Sequence, residues 1–174
     1  KKEFKNRYLI TWVKLKLSKN PVPNVRYGSI EEELRLLNKK KYSISDVRDV
    51  VCYIRTEKLP DYQLIGNAGS FFKNPEIPES DFEILQSEYK EIPFYKNENN
   101  LVKIPAGWLI EKSGWKGKRD GDVGTHSSQA LIIVNYGGAT GQEIYDFALK
   151  IKEDIKTKFN IILEEEVNVI SSPN

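Results

Sequence analysis

A serine on a glycine-rich turn is the first feature of this sequence that could take part in chemistry. The segment from Gly66 to Pro75 reads GNAGSFFKNP, so Ser70 directly follows a glycine and precedes Asn74 by four positions. A turn of this composition can present one hydroxyl and one amide to a polar ligand, because glycine allows the backbone conformations that such a turn needs. The alternative is that Ser70 only caps or turns the backbone, as many serines in turns do.

An acidic triplet, Glu164 to Glu166, interrupts the apolar segment from Ile161 to Ile170. Side chains of a strand alternate between two faces, so Glu164 and Glu166 would share one face and Glu165 would take the other. At least one carboxylate then points towards packed structure, where it needs a partner, unless the strand is exposed on both sides. The competing interpretation is an exposed sheet edge whose charge protects against aggregation.

The composition is that of a globular chain and argues against several functional classes. The 174 residues include 27 basic and 25 acidic side chains, a formal net charge of +2, which gives no electrostatic signature for nucleic acid. The single Cys52 and the single His126 can form neither an internal disulfide nor a metal cluster, and we expect Cys52 to be a small residue in a helix core. The longest aliphatic run, Ala130 to Val134, is far too short to span a membrane. Because the sequence contains no methionine and begins Lys1-Lys2, we expect a piece of a longer protein.

Helix and strand patterns follow one another without regular βαβ alternation, which predicts an α+β fold. Strands are expected at residues 7–17, 129–135 and 161–170, and a loop is expected at residues 114–124. The glycine-rich residues 137–141 lack the lysine of a phosphate-binding loop, so we interpret them as a turn followed by a helix cap. Helices are expected to begin near Ser29, Ser45, Ser80, Pro105 and Thr140, with caps at Ser29, Ser80 and Thr140.

Five segments in register resemble the UDP-N-acetylenolpyruvoylglucosamine reductases. The segment from Gly66 to Pro75 is similar to the signature of that family's substrate domain, and this motif alone is specific. The other segments that agree in order and spacing are Cys52 to Pro60, Ala106 to Ile110, Gln129 to Leu131 and Phe159 to Val167.

The resemblance implies a cytoplasmic flavoprotein oxidoreductase of peptidoglycan synthesis. In that family, FAD takes a hydride from NADPH and passes it to UDP-N-acetylglucosamine enolpyruvate, which becomes UDP-N-acetylmuramate. By resemblance, Ser70 is the proton donor and Glu166 is the catalytic glutamate, which acts with an arginine around the substrate carboxylate. The residues that match the family's substrate-binding residues are Tyr27, Lys58, Asn74 and Gln129.

The resemblance also implies that the chain is a fragment. The family's flavin-binding domain and its catalytic arginine lie upstream of the matching segments, so we expect this chain alone to bind no FAD and to be inactive. Residues 1–59 are expected to be the C-terminal remnant of the FAD-binding domain, and residues 60–160 the substrate-binding domain. Residues 161–174 are expected to be a returning strand that carries the catalytic glutamate. Asn168 stands where the family often has an arginine, and Glu165 stands where one branch has a proline.

Two other functional classes are compatible with the sequence. One is a free-standing sugar-nucleotide-binding module without redox activity, in which Ser70 would only bind the ligand. The other is a structural interaction domain, in which residues 164–166 would form a charged edge. All three interpretations expect no membrane partner and no nucleic-acid partner.

Overall fold

The computed structural model describes residues 8–26, 29–97 and 99–170, and the chain divides into two compact units, Lys1–Arg55 and Thr56–Asn174. Helices and antiparallel sheets are both present, which confirms the α+β class. The domain limits expected at 59/60 and 160/161 stay a prediction. The helices are α1 (Ile30–Leu36), α2 (Ile44–Lys58), α3 (Glu79–Glu88), α4 (Ala106–Lys112) and α5 (Gly141–Phe159). The strands are β1 (Gly66–Ser70), β2 (Glu76–Pro78), β3 (Tyr95–Lys96), β4 (Leu101–Lys103), β5 (Arg119–Asp120), β6 (Val123–Thr125) and β7 (Ile132–Asn135).

The first unit buries few apolar side chains of its own. Among its described residues, only Leu34 and Val50 are buried hydrophobics. Residues 8–17 form no strand, so the strand expected at 7–17 is wrong for its described part. The large apolar side chains of that segment are exposed, Leu15 at 74% and Trp12 at 73%. A β-strand needs hydrogen-bonded neighbours, and the described residues supply none to this segment.

Helix α2 begins at Ile44, close to the start expected near Ser45, and Ser43 and Asp46 exchange hydrogen bonds there. The Asp46 N–H donates to Ser43 Oγ (3.1 Å), and the Ser43 N–H donates to the Asp46 carboxylate (2.8 Å). Hydrogen bonds from Lys39 and Ser43 lower the pKa of Asp46 to about 2. The Cys52 side chain is exposed, so its expected place in a helix core is wrong. At the start of α1, Ser29 is the N-cap residue but its side chain makes no cap hydrogen bond, which corrects the cap expected there.

Two antiparallel sheets form the frame of the second unit. The larger sheet has the strand order β1-β7-β6-β5, and the smaller has the order β2-β4-β3. β5 and β6 form a hairpin inside the region expected to be a loop, residues 114–124, so that expectation is wrong in part. Helix α3 starts after Pro78 and has no side-chain cap, which corrects the cap expected at Ser80. Proline has a fixed φ and no N–H, so it starts a helix without a capping side chain.

Helix α5 carries the largest apolar stripe and packs it into the core of the second unit. Thr140 Oγ1 accepts from the Glu143 N–H (3.3 Å) and the Glu143 carboxylate accepts from the Thr140 N–H (2.7 Å), which confirms the predicted cap. The helix ends at Asn160, which adopts a left-handed conformation (φ 53°). The buried residues of this stripe are Phe147, Ala148, Ile151 and Ile155, with Ile144 partly buried.

The segment after α5 crosses the second unit beside the Ser70 turn. The strand expected at 161–170 is reduced to one bridge, Phe72↔Glu165, because only residues 164–166 find a partner backbone. Ile161 and Leu163 are buried and belong to the core. From Ile161 to Val167, every second residue therefore faces inward, as the alternation of an extended chain requires. No helix in the described part of the chain is long and apolar enough to cross a membrane.

Candidate active site

Ser70 is the last residue of β1 and follows an irregular step in the ladder. It lies opposite Ile132 of β7, and the register shifts between Asn67 and Ser70. Gly69 has a φ of +74°, and its N–H donates to Asn67 Oδ1 (3.1 Å). A Cβ at Gly69 would meet nothing within 4 Å, so this glycine is required by its backbone conformation and not by lack of space. Such irregular steps re-aim side chains, and Ser70 is left exposed here.

Backbone hydrogen bonds place Glu166 next to the Ser70 turn. The Glu166 N–H donates to the carbonyl of Phe71 (2.8 Å), and the Lys73 N–H donates to the carbonyl of Glu164 (2.9 Å). Ser70 and Glu166 consequently line the same open cavity, which has a volume of about 600 Å³. The cavity is completed by Ala68, Val167 and Asn168.

The acidic triplet divides between the two faces as its alternation predicts. Glu165 points inward and its carboxylate pairs with Lys152 of α5 (2.6 Å), which confirms that a carboxylate on the packed face needs a partner. Burial would raise the pKa of Glu165, but the hydrogen bonds from Lys152 and from the backbone outweigh burial and hold the pKa below its ordinary value. Glu164 pairs with Lys73 on the exposed side (3.0 Å).

The two amides expected to bind substrate converge on the start of α4. Asn74 Oδ1 accepts from the Ala106 N–H (2.9 Å) and so satisfies a backbone donor in the first turn of that helix. A Cβ on Gly107 would lie 3.5 Å from Gln129 Oε1, which places the half-buried Gln129 side chain beside the same turn. Asn74 therefore has a structural role through its oxygen, and its amide nitrogen is left to donate to a ligand.

The other expected site residues lie elsewhere or outside the described residues. Lys58 is the exposed last residue of α2 and does not line the Ser70 cavity. Tyr27 falls outside the described residues. Among the described residues, the five that line the cavity include the hydroxyl and the carboxylate of the expected site and no cation.

Sequence reasoning missed the lysine partners of the triplet. Lys73 lies within the motif around Ser70, but nothing in the motif indicates that it pairs with a residue 91 positions later. Lys152 lies on α5 beside the buried Ile151. A lysine in an amphipathic helix is ordinarily predicted to face solvent. Only the tertiary contact reveals its function as a counter-charge.

The second glycine-rich turn, residues 137–141, is occupied by the protein's own side chains. The Gly138 N–H donates to the Asp122 carboxylate (3.1 Å), and the Gly137 N–H donates to Asn135 Oδ1 (2.9 Å). A carboxylate at this position repels phosphate, so the turn does not fit a dinucleotide cofactor. The interpretation as a turn plus helix cap is confirmed.

Within residues 8–26, 29–97 and 99–170, no cluster of three or more His, Cys, Asp or Glu side chains could hold a metal ion.

Comparison with known proteins identifies what the chain resembles. A family model described as "UDP-N-acetylenolpyruvoylglucosamine reductase, C-terminal domain" matches residues 60–170. The UDP-N-acetylenolpyruvoylglucosamine reductase of Amoebophilus asiaticus is 46% identical over 170 residues, which cover 98% of this chain and 50% of that protein. The proteins of the same name from Flavobacterium johnsoniae and Pseudomonas aeruginosa are 47% and 42% identical, over 98% and 97% of this chain and 51% and 50% of their own lengths. The chain thus spans about half the length of the curated relatives it matches.

Proposed function

The chain belongs to the UDP-N-acetylenolpyruvoylglucosamine reductase family, and from that membership we propose that it supplies the C-terminal half of such a reductase. The whole protein then acts in peptidoglycan synthesis and converts UDP-N-acetylglucosamine enolpyruvate to UDP-N-acetylmuramate. The observation that carries this proposal beyond family membership is the shared cavity of Ser70 and Glu166. In this proposal the protein is a cytoplasmic flavoprotein that uses FAD and NADPH.

Ser70 has the chemistry and the exposure that proton delivery to the substrate requires. A flavin held by the half of the protein that this chain does not span would supply the hydride, and negative charge would then develop on the substrate carbon next to the carboxylate. A hydroxyl is a weak acid, but a carbanion-like carbon is a strong base, so Ser70 can give its proton to that carbon. Its place at the irregular end of β1 leaves the hydroxyl facing open space, into which a substrate can enter.

Glu166 acts beside Ser70 in the proposal. Its carboxylate faces the same cavity, but a carboxylate alone would repel the carboxylate of an enolpyruvyl group. An added cation is therefore required, and the lining residues provide none. We assign that cation to an arginine in the half of the protein that this chain does not span. Together they orient the substrate carboxylate and stabilise the charge that develops next to it.

The remaining ligand contacts are assigned by family resemblance and by position. Asn74 and Gln129 converge on the first turn of α4, where the free amide nitrogen of Asn74 can donate to a substrate oxygen. Lys58 offers a compact ammonium for the diphosphate, and Tyr27 a phenol for the same group. The positions of Asn74 and Gln129 beside the same turn support their assignment, and the assignments of Lys58 and Tyr27 rest on the resemblance alone.

The described residues do not fit FAD, and no step of this proposal relies on their holding it. The turn at residues 137–141 binds its own Asp122 and Asn135 side chains, which leaves no cradle for a diphosphate there. We infer that the flavin is held by the other half of the protein, with residues 1–59 as the end of the flavin-binding domain. Residues 60–160 then form the substrate-binding domain, and residues 161–174 return with Glu166.

The exposed apolar segment at residues 8–17 supports this division. Leu9, Val13, Leu15 and Leu17 are each at least 70% exposed, and an extended chain with such side chains is stabilised only when another surface covers it. A sheet in the half of the relatives that this chain does not span would supply that cover. The segment would then add a strand to that sheet, as its alternating sequence favours.

The experiment that tests the proposal uses the whole protein that contains this chain. We expect purified whole protein to carry flavin and to oxidise NADPH only when UDP-N-acetylglucosamine enolpyruvate is present. The 174-residue chain alone is expected to be colourless and to oxidise no NADPH. A whole protein that binds the sugar nucleotide but never oxidises NADPH would instead favour a binding module, and stoichiometric FAD on the 174-residue chain would contradict the division into two halves.

A further inference from the structure

The three glutamates at 164–166 differ in how they are held, although they are adjacent in sequence. Glu164 pairs with Lys73 at the surface (3.0 Å), where the two side chains are 61% and 45% exposed. Glu165 pairs with Lys152 (2.6 Å), and both of these side chains are only about a quarter exposed, at 23% and 24%. No ion pair among the described residues includes Glu166, which lines the cavity with Ser70. The pattern leaves one carboxylate of the triplet open to a ligand.

The Lys152–Glu165 pair connects the triplet to α5, the longest described helix of the second unit. Lys152 lies on α5 next to the buried Ile151, and its side chain is itself mostly buried. Glu165 continues the inward-facing row that begins with Ile161 and Leu163. A carboxylate in that row is stable only with a counter-charge, and Lys152 supplies it.

The face taken by Glu165 decides the face taken by its neighbour. Successive side chains of an extended segment point to opposite sides, so Glu166 must face outward while Glu165 faces inward. A rotation or slip by one residue would put Glu166 against the core and Glu165 in the cavity. The ladder here is a single bridge, Phe72↔Glu165, flanked by the backbone hydrogen bonds from Lys73 to Glu164 and from Glu166 to Phe71, so it resists such a slip less than a longer ladder would.

We propose that Lys152 is a positioning residue for the reductase reaction: by holding Glu165 on the inward face, it keeps the Glu166 carboxylate in the cavity that contains Ser70. This inference rests on the proposed function, because it assigns Lys152 to the part of the reaction in which Glu166 takes part. Lys152 touches neither that cavity nor the serine, and it acts through Glu165.

Lys73 provides a matched control within the same triplet. Its pair with Glu164 has the same charges and lies one residue away, but it is exposed to solvent and weak for that reason. Its backbone N–H bond to Glu164 does not depend on its side chain. The variants Lys152→Met and Lys73→Met therefore remove the same charge from the two sides of one segment, with the stems kept.

The test measures the two half-reactions of the whole protein separately. We expect Lys152→Met to slow reduction of the enolpyruvate by reduced enzyme about ten- to hundredfold at saturating substrate, which is the cost of a misplaced group of this kind. Flavin reduction by NADPH should stay at the parent rate, because Glu166 has no part in it. Lys73→Met should change either rate by no more than about threefold. Lys152→Arg keeps the positive charge and should restore most of the lost rate.

Three results would overturn the inference: equal losses in both half-reactions, equal effects of Lys152→Met and Lys73→Met, or no recovery with Lys152→Arg. If Lys152→Met does not fold, Glu165→Gln replaces it, because that variant leaves a lysine that can reach solvent and no unpaired carboxylate. The same selective loss is then expected, and a parent-like rate would overturn the inference. A parent protein that cannot reduce the enolpyruvate would refute the proposed function and the inference with it, whereas an active parent with unaffected variants refutes the inference alone.

Discussion

The two units of this chain both contain apolar segments, but the second unit buries them and the first leaves many of them exposed. The second unit packs the stripe of α5, together with Ile161 and Leu163, into one continuous core. The first unit leaves Leu15 and its neighbours in the solvent, and among its described residues only Leu34 and Val50 are buried hydrophobics. An apolar pattern therefore predicts that a surface will be covered. It does not predict which part of the protein covers that surface.

The largest expected effect concerns chemistry assigned to the second unit. In the whole protein, Ser70→Ala should slow reduction of the enolpyruvate by about 10²- to 10⁴-fold, because proton delivery then falls to water. The rate of flavin reduction by NADPH should not change. Rapid-mixing measurements of the two half-reactions check this, with the exposed Ser80→Ala as control. Equal losses in both half-reactions would mean that Ser70 has a structural role. The proton-donor role assigned to the second unit would then be wrong.

A matched pair of leucines tests the comparison itself. In the 174-residue chain, Leu163→Ala should lower the free energy of unfolding by about 2–5 kcal/mol, because Leu163 is fully buried. Leu15→Ala should lower it by less than about 0.5 kcal/mol, because Leu15 is 74% exposed. Urea unfolding measures both.

The free-energy cost of Leu15→Ala should be larger in the whole protein if the half that this chain does not span covers residues 8–17. In the whole protein we expect its cost to rise to about 2 kcal/mol or more, the cost of a buried leucine. Lys14→Ala in the same segment should cost little in either protein. A cost for Leu15→Ala that stays below about 0.5 kcal/mol in the whole protein would break the proposal that a sheet covers residues 8–17.

Two variants of Asn74 distinguish its contribution to stability from its contribution to ligand binding. Asn74→Ala removes the acceptor for the Ala106 N–H and should cost about 1 kcal/mol of stability, as the loss of a helix cap does. Asn74→Asp keeps an acceptor and should retain the stability, but it loses the amide donor and adds a negative charge. We therefore expect Asn74→Asp to raise the KM for the sugar nucleotide without lowering the melting temperature. An unchanged KM would remove Asn74 from the substrate site.

The smallest expected effect is the pH dependence of the Lys152–Glu165 pair. The folded-state pKa of Glu165 lies below its ordinary value of 4.5, so the pair contributes stability that is fully present above that pH. This contribution is lost as the pH falls through the folded-state pKa. The stability difference between the parent and Glu165→Gln should therefore be present at neutral pH and shrink at pH values below 4.5. Thermal unfolding across this range checks it, and a difference that grows on acidification would contradict the pairing.

Local patterns predicted the parts of the fold that depend on neighbours in sequence. The stripe and cap of α5 and the start of α4 at Pro105 follow from side-chain spacing and from backbone chemistry within a few residues. The strand at 7–17 and the long strand at 161–170 did not form as expected. A strand depends on partners that lie far away in sequence or in another part of the protein, and periodicity carries no information about them.

In the candidate site, too, some features depend on consecutive residues and others depend on contacts between distant residues. Consecutive residues are enough to predict the glycine turn under Ser70, the alternation that separates Glu165 from Glu166, and the need of an inward carboxylate for a partner, because these follow from local backbone geometry. The contact of residues 164–166 with residues 71–73, and the choice of Lys152 as the partner, depend on the folded protein. Such contacts join residues that are far apart in the chain, and they are selected by the packing of α5 and the sheet as a whole.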